Sequence, residues 1–249
     1  MKRKESDLES TKKKLKEESE ESESDYSVDS EGEEEEEDKE EIINVDFDFL
    51  DYSEIDFHGL KTLIKQIFST DFTRDSELSD FLISQNIGSV VKVDEGLDPY
   101  AFITVLDLNS KEEFITEILQ FLKKKDDRIK EDGACLLLSC RLINMPPQLA
   151  PPLYKQLLND IKKKYKTVYY ISQVYKMVND KEVFFYQAED ELLQELVDFY
   201  VDYQLPNPQS SDSRRVFNDD GVETWRRIFS FKFDKIPKFQ ELMDKELSE

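Results

Sequence analysis

The chain has 249 residues, of which 37% are charged, and its formal net charge at pH 7 is −23. An acidic excess of this size repels phosphate groups, so the composition argues against direct binding to nucleic acid or to anionic membranes and favours basic proteins as partners. No apolar run approaches the ~20 residues that cross a bilayer, so the sequence predicts neither a membrane protein nor a secreted one.

The first 41 residues are predicted to form a disordered tail. They carry 19 acidic and 8 basic side chains, a net charge of −11, and very few large apolar groups. A segment of this composition buries too little apolar surface to offset the entropy that it loses on ordering. From residue 42 onwards, strand and helix patterns alternate, so we expect one folded domain over residues 42–249.

The tail begins with two short basic clusters of the kind that serve as nuclear-import signals. Their members are Lys2, Arg3, Lys4, Lys12, Lys13, Lys14 and Lys16. This hypothesis implies the import machinery as a partner and the nucleus as the location. A solvated run of charge without any import role explains the same residues.

Three serines of the tail are candidate phosphorylation sites. Ser6, Ser22 and Ser30 each precede an acidic residue by three positions. Acid-directed kinases favour this spacing because their basic pockets bind the downstream carboxylate, and each phosphate adds about −1.5 to −2 charges. A purely solubilising acidic segment at residues 17–41 explains the same composition without a kinase.

The predicted domain alternates between strand and helix patterns. Strand patterns occupy residues 43–49, 89–93, 100–108, 134–143, 168–178, 182–186, 197–203 and 225–233. Helix patterns occupy residues 60–68, 76–82, 110–122, 153–165, 188–196 and 237–243, with Asp56, Ser76 and Ser110 as candidate N-caps. The run at 100–106 is apolar on both faces, which is typical of a central strand. These elements predict a single α/β domain with a mixed central sheet flanked by helices.

The sequence offers little catalytic chemistry. His58 is the only histidine, which leaves out most metal clusters and every mechanism with a histidine base, and we interpret it as structural. Asp46 and Asp48 share one face of a strand and have the spacing of paired carboxylates, although simple solvent exposure explains them better. The six glycines never cluster, so no glycine-rich phosphate loop is predicted. We therefore predict no catalytic residue, no cofactor and no metal.

The two cysteines, Cys135 and Cys140, lie in one strand pattern. Five residues of strand span about 16 Å, well beyond the limit of about 7 Å for a disulfide, and odd spacing places the thiols on opposite faces. We expect two buried thiols and a reducing compartment.

Basic residues collect near the C-terminus, against the overall charge. They are Arg214, Arg215, Arg226, Arg227, Lys232, Lys235 and Lys238. This patch is a candidate docking site for the acidic tail or for an acidic partner segment, although charge protection of an edge strand explains it equally well. In a strand at 225–233, Arg227 shares a face with Trp225 and Phe229, and Arg226 lies on the opposite face.

Several stretches resemble the BCCIP family, which is called the BCP family in fungi. They are NVDFDF at 44–49, IDFHGLKTL at 55–63, GSVVKVD at 88–94, DPYAFITVL at 98–106 and AEDE at 188–191. The resemblance extends over residues 42–249 and implies a fold similar to the GCN5-related acetyltransferases. It further implies a nuclear, non-enzymatic interaction protein with links to ribosome assembly, to escort of a basic large-subunit ribosomal protein, to nuclear export and to cell-cycle or repair partners.

Acetyltransferases of that fold hold the cofactor pyrophosphate in a glycine-rich turn between a central strand and a helix. The corresponding stretch here, residues 144–152, contains Pro146, Pro147, Pro151 and Pro152 and no glycine, and proline has no N–H to donate. Three hypotheses remain: a non-enzymatic escort of basic clients, an acyl-CoA-dependent acyltransferase-like enzyme, and a histone-chaperone-like protein in which the tail binds the client.

Overall fold

The computed structural model describes residues 45–68, 72–93, 98–177, 182–204 and 222–248. The predicted tail, with its two basic clusters and with Ser6, Ser22 and Ser30, lies outside these residues, as do Arg214 and Arg215. The predictions for those residues stay predictions.

Among the described residues, eight strands form one mixed sheet. The strands are β1 (Phe47–Leu50), β2 (Ser89–Val93), β3 (Ala101–Asp107), β4 (Ala134–Arg141), β5 (Thr167–Met177), β6 (Val183–Phe185), β7 (Phe199–Tyr203) and β8 (Val222–Lys232). Their order across the sheet is β1-β2-β3-β4-β5-β8-β7, with β6 also paired to β5. Within the described residues, every pairing is antiparallel except that of β4 with β5.

In the described part of the chain, six helices cover the two faces of the sheet. They are α1 (Phe57–Phe68), α2 (Asp75–Gln85), α3 (Glu113–Lys125), α4 (Ala150–Asp160), α5 (Ala188–Gln194) and α6 (Ile236–Glu246). The first three pack on one face and the last three on the other, so two apolar cores enclose the sheet. In β3, Phe102 belongs to the first core and Ile103 to the second, which confirms the predicted central strand.

The predicted α/β class with a mixed sheet is confirmed. None of the described helices combines the length and the apolar character needed to span a membrane.

All three predicted N-caps are wrong. Ser76 lies inside α2, which begins at Asp75. Asp56 lies in a 3-10 turn, Glu54–Asp56, that runs directly into α1, and its carboxylate accepts hydrogen bonds from the backbone N–H and the hydroxyl of Ser53, each at 2.9 Å. The other helix, α3, begins only at Glu113, so Ser110 lies too far upstream to cap it.

The helix predicted over 153–165 is displaced towards the N-terminus, because α4 ends at Asp160 and Ile161 is already extended. Ile161 and Tyr165 nevertheless pack against the second core from the chain that follows the helix. The apolar spacing therefore predicted correctly that these two side chains pack against the core, but it placed the end of the helix too late in the chain.

The prediction of two buried, unbridged thiols is confirmed. Cys135 and Cys140 are free and buried in β4, where they contribute to the second and the first core respectively. Burial raises the pKa of the Cys135 thiol far above its ordinary value, so this group stays protonated and unreactive.

Candidate functional site

The centre of the sheet contains a break in strand pairing. β4 pairs with β5 only from Ala134 to Leu137, and the C-terminal half of β5 pairs with β6 instead. The two parallel strands therefore separate towards their carboxyl ends and leave a cleft between them. Ligands of open α/β sheets bind beyond the carboxyl ends of strands where neighbouring strands part, so this cleft is the first candidate for a small-molecule site.

Side chains of the protein itself fill that cleft. Arg141, at the end of β4, forms a bidentate ion pair with Glu189 at 3.0 and 2.9 Å, and both residues are buried. Gln187 donates its side-chain amide to the carbonyl oxygen of Arg141 at 2.8 Å. The cavity that remains, lined in part by Tyr170 and Asp190, measures about 30 Å³. A cavity of this size holds only a few water molecules, so a cofactor the size of acyl-CoA does not fit in it.

A buried carboxyl group, that of Asp190, lies beside this cavity. It accepts hydrogen bonds from the hydroxyls of Tyr170 at 2.7 Å and Ser172 at 2.6 Å. Burial, followed by the negative charge of the neighbouring Glu189, raises the pKa of Asp190 to about 8. Strongly shifted carboxyls are common in active sites, but here the donors belong to β5 of the same sheet and the group forms part of a polar core.

Asp190→Asn should change the pH dependence of folding stability. Because the pKa of Asp190 is raised from 3.8 to about 8, the folded state retains a proton that the unfolded state loses. The stability that this retained proton contributes is therefore complete when the pH is below the pKa of Asp190 in the unfolded state. It is lost as the pH rises through the pKa of Asp190 in the folded state. Relative to the wild type, the variant should gain up to about 1.4 kcal/mol of unfolding free energy per pH unit in that window. Urea denaturation at several pH values measures this, and a constant difference would contradict it.

The proline-rich connection between β4 and α4 supplies few free N–H groups. The N–H groups of Met145, Leu149 and Ala150 donate to carbonyl oxygens within the same connection. Pro151 and Pro152 follow directly in the first turn of α4, where an anion-binding helix would present its donors. The start of α4 is therefore poorly equipped to hold a pyrophosphate.

A larger groove of about 680 Å³ lies between the C-terminal ends of α2 and α4. Its wall includes Asn86, Asp107, Asp160, Lys163 and Tyr165, with apolar side chains beneath them. Lys163 is paired with Asp107 across the wall, so the two charges offset each other. In the described part of the chain no group of histidine, cysteine, aspartate and glutamate is arranged to hold a metal ion.

The predicted basic patch loses its two arginines in β8, whereas Lys232 and Lys238 are exposed and Lys235 is partly exposed. Arg226 and Arg227 lie on opposite faces of the strand, as predicted, but both are buried. Arg227 forms two hydrogen bonds to Asp202 at 2.7 and 2.9 Å, and Arg226 donates to the carbonyl oxygen of Gln66 at 2.7 Å. The edge-strand explanation is also wrong, because β8 lies between β5 and β7. These two arginines hold the interior together, so they are not available to an acidic tail.

The remaining candidates from the sequence are surface residues. His58 is exposed in the first turn of α1, with its ring edge-on to that of Phe57 at 5.2 Å between centroids. Asp46 and Asp48 are exposed at the outer strand β1, as the sequence predicted. The acidic pair therefore faces solvent and does not line an enclosed pocket.

Comparison with known proteins decides the family. The BCCIP family model matches residues 42–193, which is more than half of the chain. This chain belongs to the BCCIP family. Protein bcp1 of Aspergillus oryzae is 32% identical over 245 residues, covering 79% of this chain and 84% of the relative. Protein bcp1 of Schizosaccharomyces pombe is 31% identical over 257 residues, covering 81% and 91%.

A solved structure of this family supports the fold. The crystal structure of BCP1 from Saccharomyces cerevisiae is 26% identical and matches with a TM-score of 0.59 over 88% of this chain and 96% of that one. An N-acetyltransferase from Staphylococcus aureus Mu50 reaches a TM-score of only 0.37 at 10% identity. That value is too low to assign a fold, so the likeness of this BCCIP-family protein to acetyltransferases stays a prediction.

Proposed function

We propose that this BCCIP-family protein is a non-enzymatic nuclear escort for basic proteins. Its client is a basic protein of the large ribosomal subunit, which it accompanies during ribosome assembly and nuclear export. Cell-cycle proteins are a further class of partner expected from the family. The observation that carries the proposal is charge: the whole chain has a net charge of −23, and residues 42–249 retain −12 of it. Such a field attracts basic proteins and raises their encounter rate at low salt.

The interior of the protein supports a role without catalysis. A buried ion pair, Arg141 with Glu189, occupies the cleft where a cofactor would enter the sheet. Prolines occupy the turn that would bind its phosphates. Both features favour a protein that binds partners at its surface over an enzyme with an enclosed active site.

Client binding should depend on the folded domain and fall steeply with salt. We expect a purified basic ribosomal protein of the large subunit to bind both the full chain and residues 42–249. The affinity should decrease strongly as salt rises from about 0.05 to about 0.5 M, because surface charges are screened over shorter distances. Titration monitored by fluorescence anisotropy measures it. If neither the full chain nor residues 42–249 binds the ribosomal protein, the proposal is wrong. If only the full chain binds, the tail carries the function, as in the histone-chaperone-like hypothesis.

The acyltransferase hypothesis and the nuclear location have their own tests. Calorimetry with acetyl-CoA should give no binding heat, and micromolar affinity would contradict the non-enzymatic proposal.

The tagged full chain should accumulate in nuclei, and alanine at the seven basic residues of the two tail clusters should abolish that accumulation.

A further inference from the structure

The outer strand β1 and the residues that flank it combine exposed apolar and acidic side chains. We define residues 45–55 as the β1 edge. Its exposed apolar residues are Val45, Leu50 and Ile55, at 40%, 41% and 60% exposure. Its exposed acidic residues are Asp46, Asp48, Asp51 and Glu54. The β1 edge contains no basic residue, so its charge is unopposed within the segment.

Backbone groups of β1 are available on one side. β1 pairs with β2 and ends the strand order, so among the described residues no strand occupies its other side. An open strand edge presents unpaired N–H and C=O groups to any extended chain that approaches. Main-chain pairing of a peptide with such an edge is a common mode of recognition.

The acidic side chains of β1 are not neutralised from the neighbouring strand. Asp48 lies directly across from Lys92 of β2. The Lys92 ammonium is buried, however, and contacts the buried carboxylate of Asp56 at 2.5 Å. Asp48 therefore stays exposed and keeps its charge available to a partner.

The two faces of β1 differ in chemistry. Asp46 and Asp48 share one face because side chains alternate along a strand, and Phe47 and Phe49 lie on the other. Phe47 and Phe49 are only half-buried and pack at the margin of the second core. An added strand would meet carboxylates on one face and apolar surface on the other.

We infer that the β1 edge binds an extended segment of a client in which lysine or arginine alternates with apolar residues. Its backbone pairs with β1, its basic side chains lie beside Asp46 and Asp48, and its apolar side chains cover Phe47 and Phe49. This inference rests on the proposed function and names the surface that carries it. A second copy of this chain is disfavoured as the occupant, because β1 against β1 brings carboxylates together.

The test uses the full-length protein and a ten-residue peptide of alternating lysine and valine. The edge variant is Asp46→Lys/Asp48→Lys, and the control is Glu191→Lys/Glu241→Lys, which makes the same charge change at exposed positions of α5 and α6. Hydrogen exchange should show that the peptide slows the amides of Phe47–Leu50 in the wild type and in the control. In the edge variant that protection should weaken at least about tenfold, since like charges now face each other.

Three outcomes overturn the inference. One is an unchanged exchange rate in β1 on addition of peptide, and another is equal weakening in both variants, which would reduce the effect to net charge. The third is equal binding of the basic ribosomal protein to the wild type, the control and the edge variant. In that case the acidic residues of the β1 edge only prevent unwanted strand pairing, and the proposed function stands. If the ribosomal protein binds none of the three, the proposed function is wrong as well.

Discussion

Replacing Arg141 by methionine is expected to lower the free energy of unfolding by about 3–5 kcal/mol. Arg141 and Glu189 are 5% and 1% exposed, so the substitution leaves a buried carboxylate without its partner. Asp190 follows directly and is already disfavoured as an anion by the charge of Glu189. Urea denaturation followed by the fluorescence of Trp225, the single tryptophan, measures the loss.

Two further variants separate a buried pair from an exposed one. Arg128→Met removes a bidentate partner of Asp126, but Arg128 is 58% exposed, so the cost should stay below about 1 kcal/mol. Arg141→Met/Glu189→Met removes both buried charges and should recover most of the stability lost in the single variant. A double variant as unstable as Arg141→Met would show that packing, and not the unpaired charge, sets the cost.

Gly88→Ala should destabilise the protein by about 3–5 kcal/mol, combining strained backbone with steric overlap. Gly88 has a φ of +97°, a conformation that side chains disfavour, and an added Cβ would lie 1.9 Å from the carbonyl oxygen of Ile103. That oxygen belongs to β3, so it moves only if the central strand moves. The Gly88 N–H also bonds Asp160 at 3.2 Å, which ties the start of β2 to the end of α4.

Gly133 provides the matched control. It also has a positive φ, +65°, but an added Cβ would meet only the flexible side chain of Lys166 at 3.0 Å. Gly133→Ala should therefore cost about 1 kcal/mol, as expected for the backbone conformation alone. Thermal or urea unfolding of the two variants side by side measures the difference, and equal losses would rule out the clash with Ile103.

Local pattern predicted the elements of this fold well. The alternation around Phe47 and Phe49 identified the half-buried outer strand, and the continuous apolar run of β3 identified a strand buried on both faces. The odd spacing of Cys135 and Cys140 predicted thiols in different cores. These features follow from the two-residue period of a strand and from the burial of apolar surface, which depend only on neighbouring residues.

The candidate sites needed long-range information. Arg226 and Arg227 read as a surface patch because the chain does not reveal that β8 lies inside the sheet or that the carbonyl of Gln66 reaches Arg226. Arg141 ends a long apolar run, which is a signal of a buried charge, but its partner Glu189 lies 48 residues away.

The sequence by itself therefore determined most of the buried apolar residues, the strand faces that they occupy and how acidic the protein is. Only the tertiary structure decided which strands are neighbours, that β4 and β5 separate and that an ion pair fills the gap. It also showed that, within the residues it describes, no strand covers the outer side of β1. The physical reason is that periodicity is a local property of the chain, whereas strand order and charge pairing are set by contacts between residues far apart in sequence.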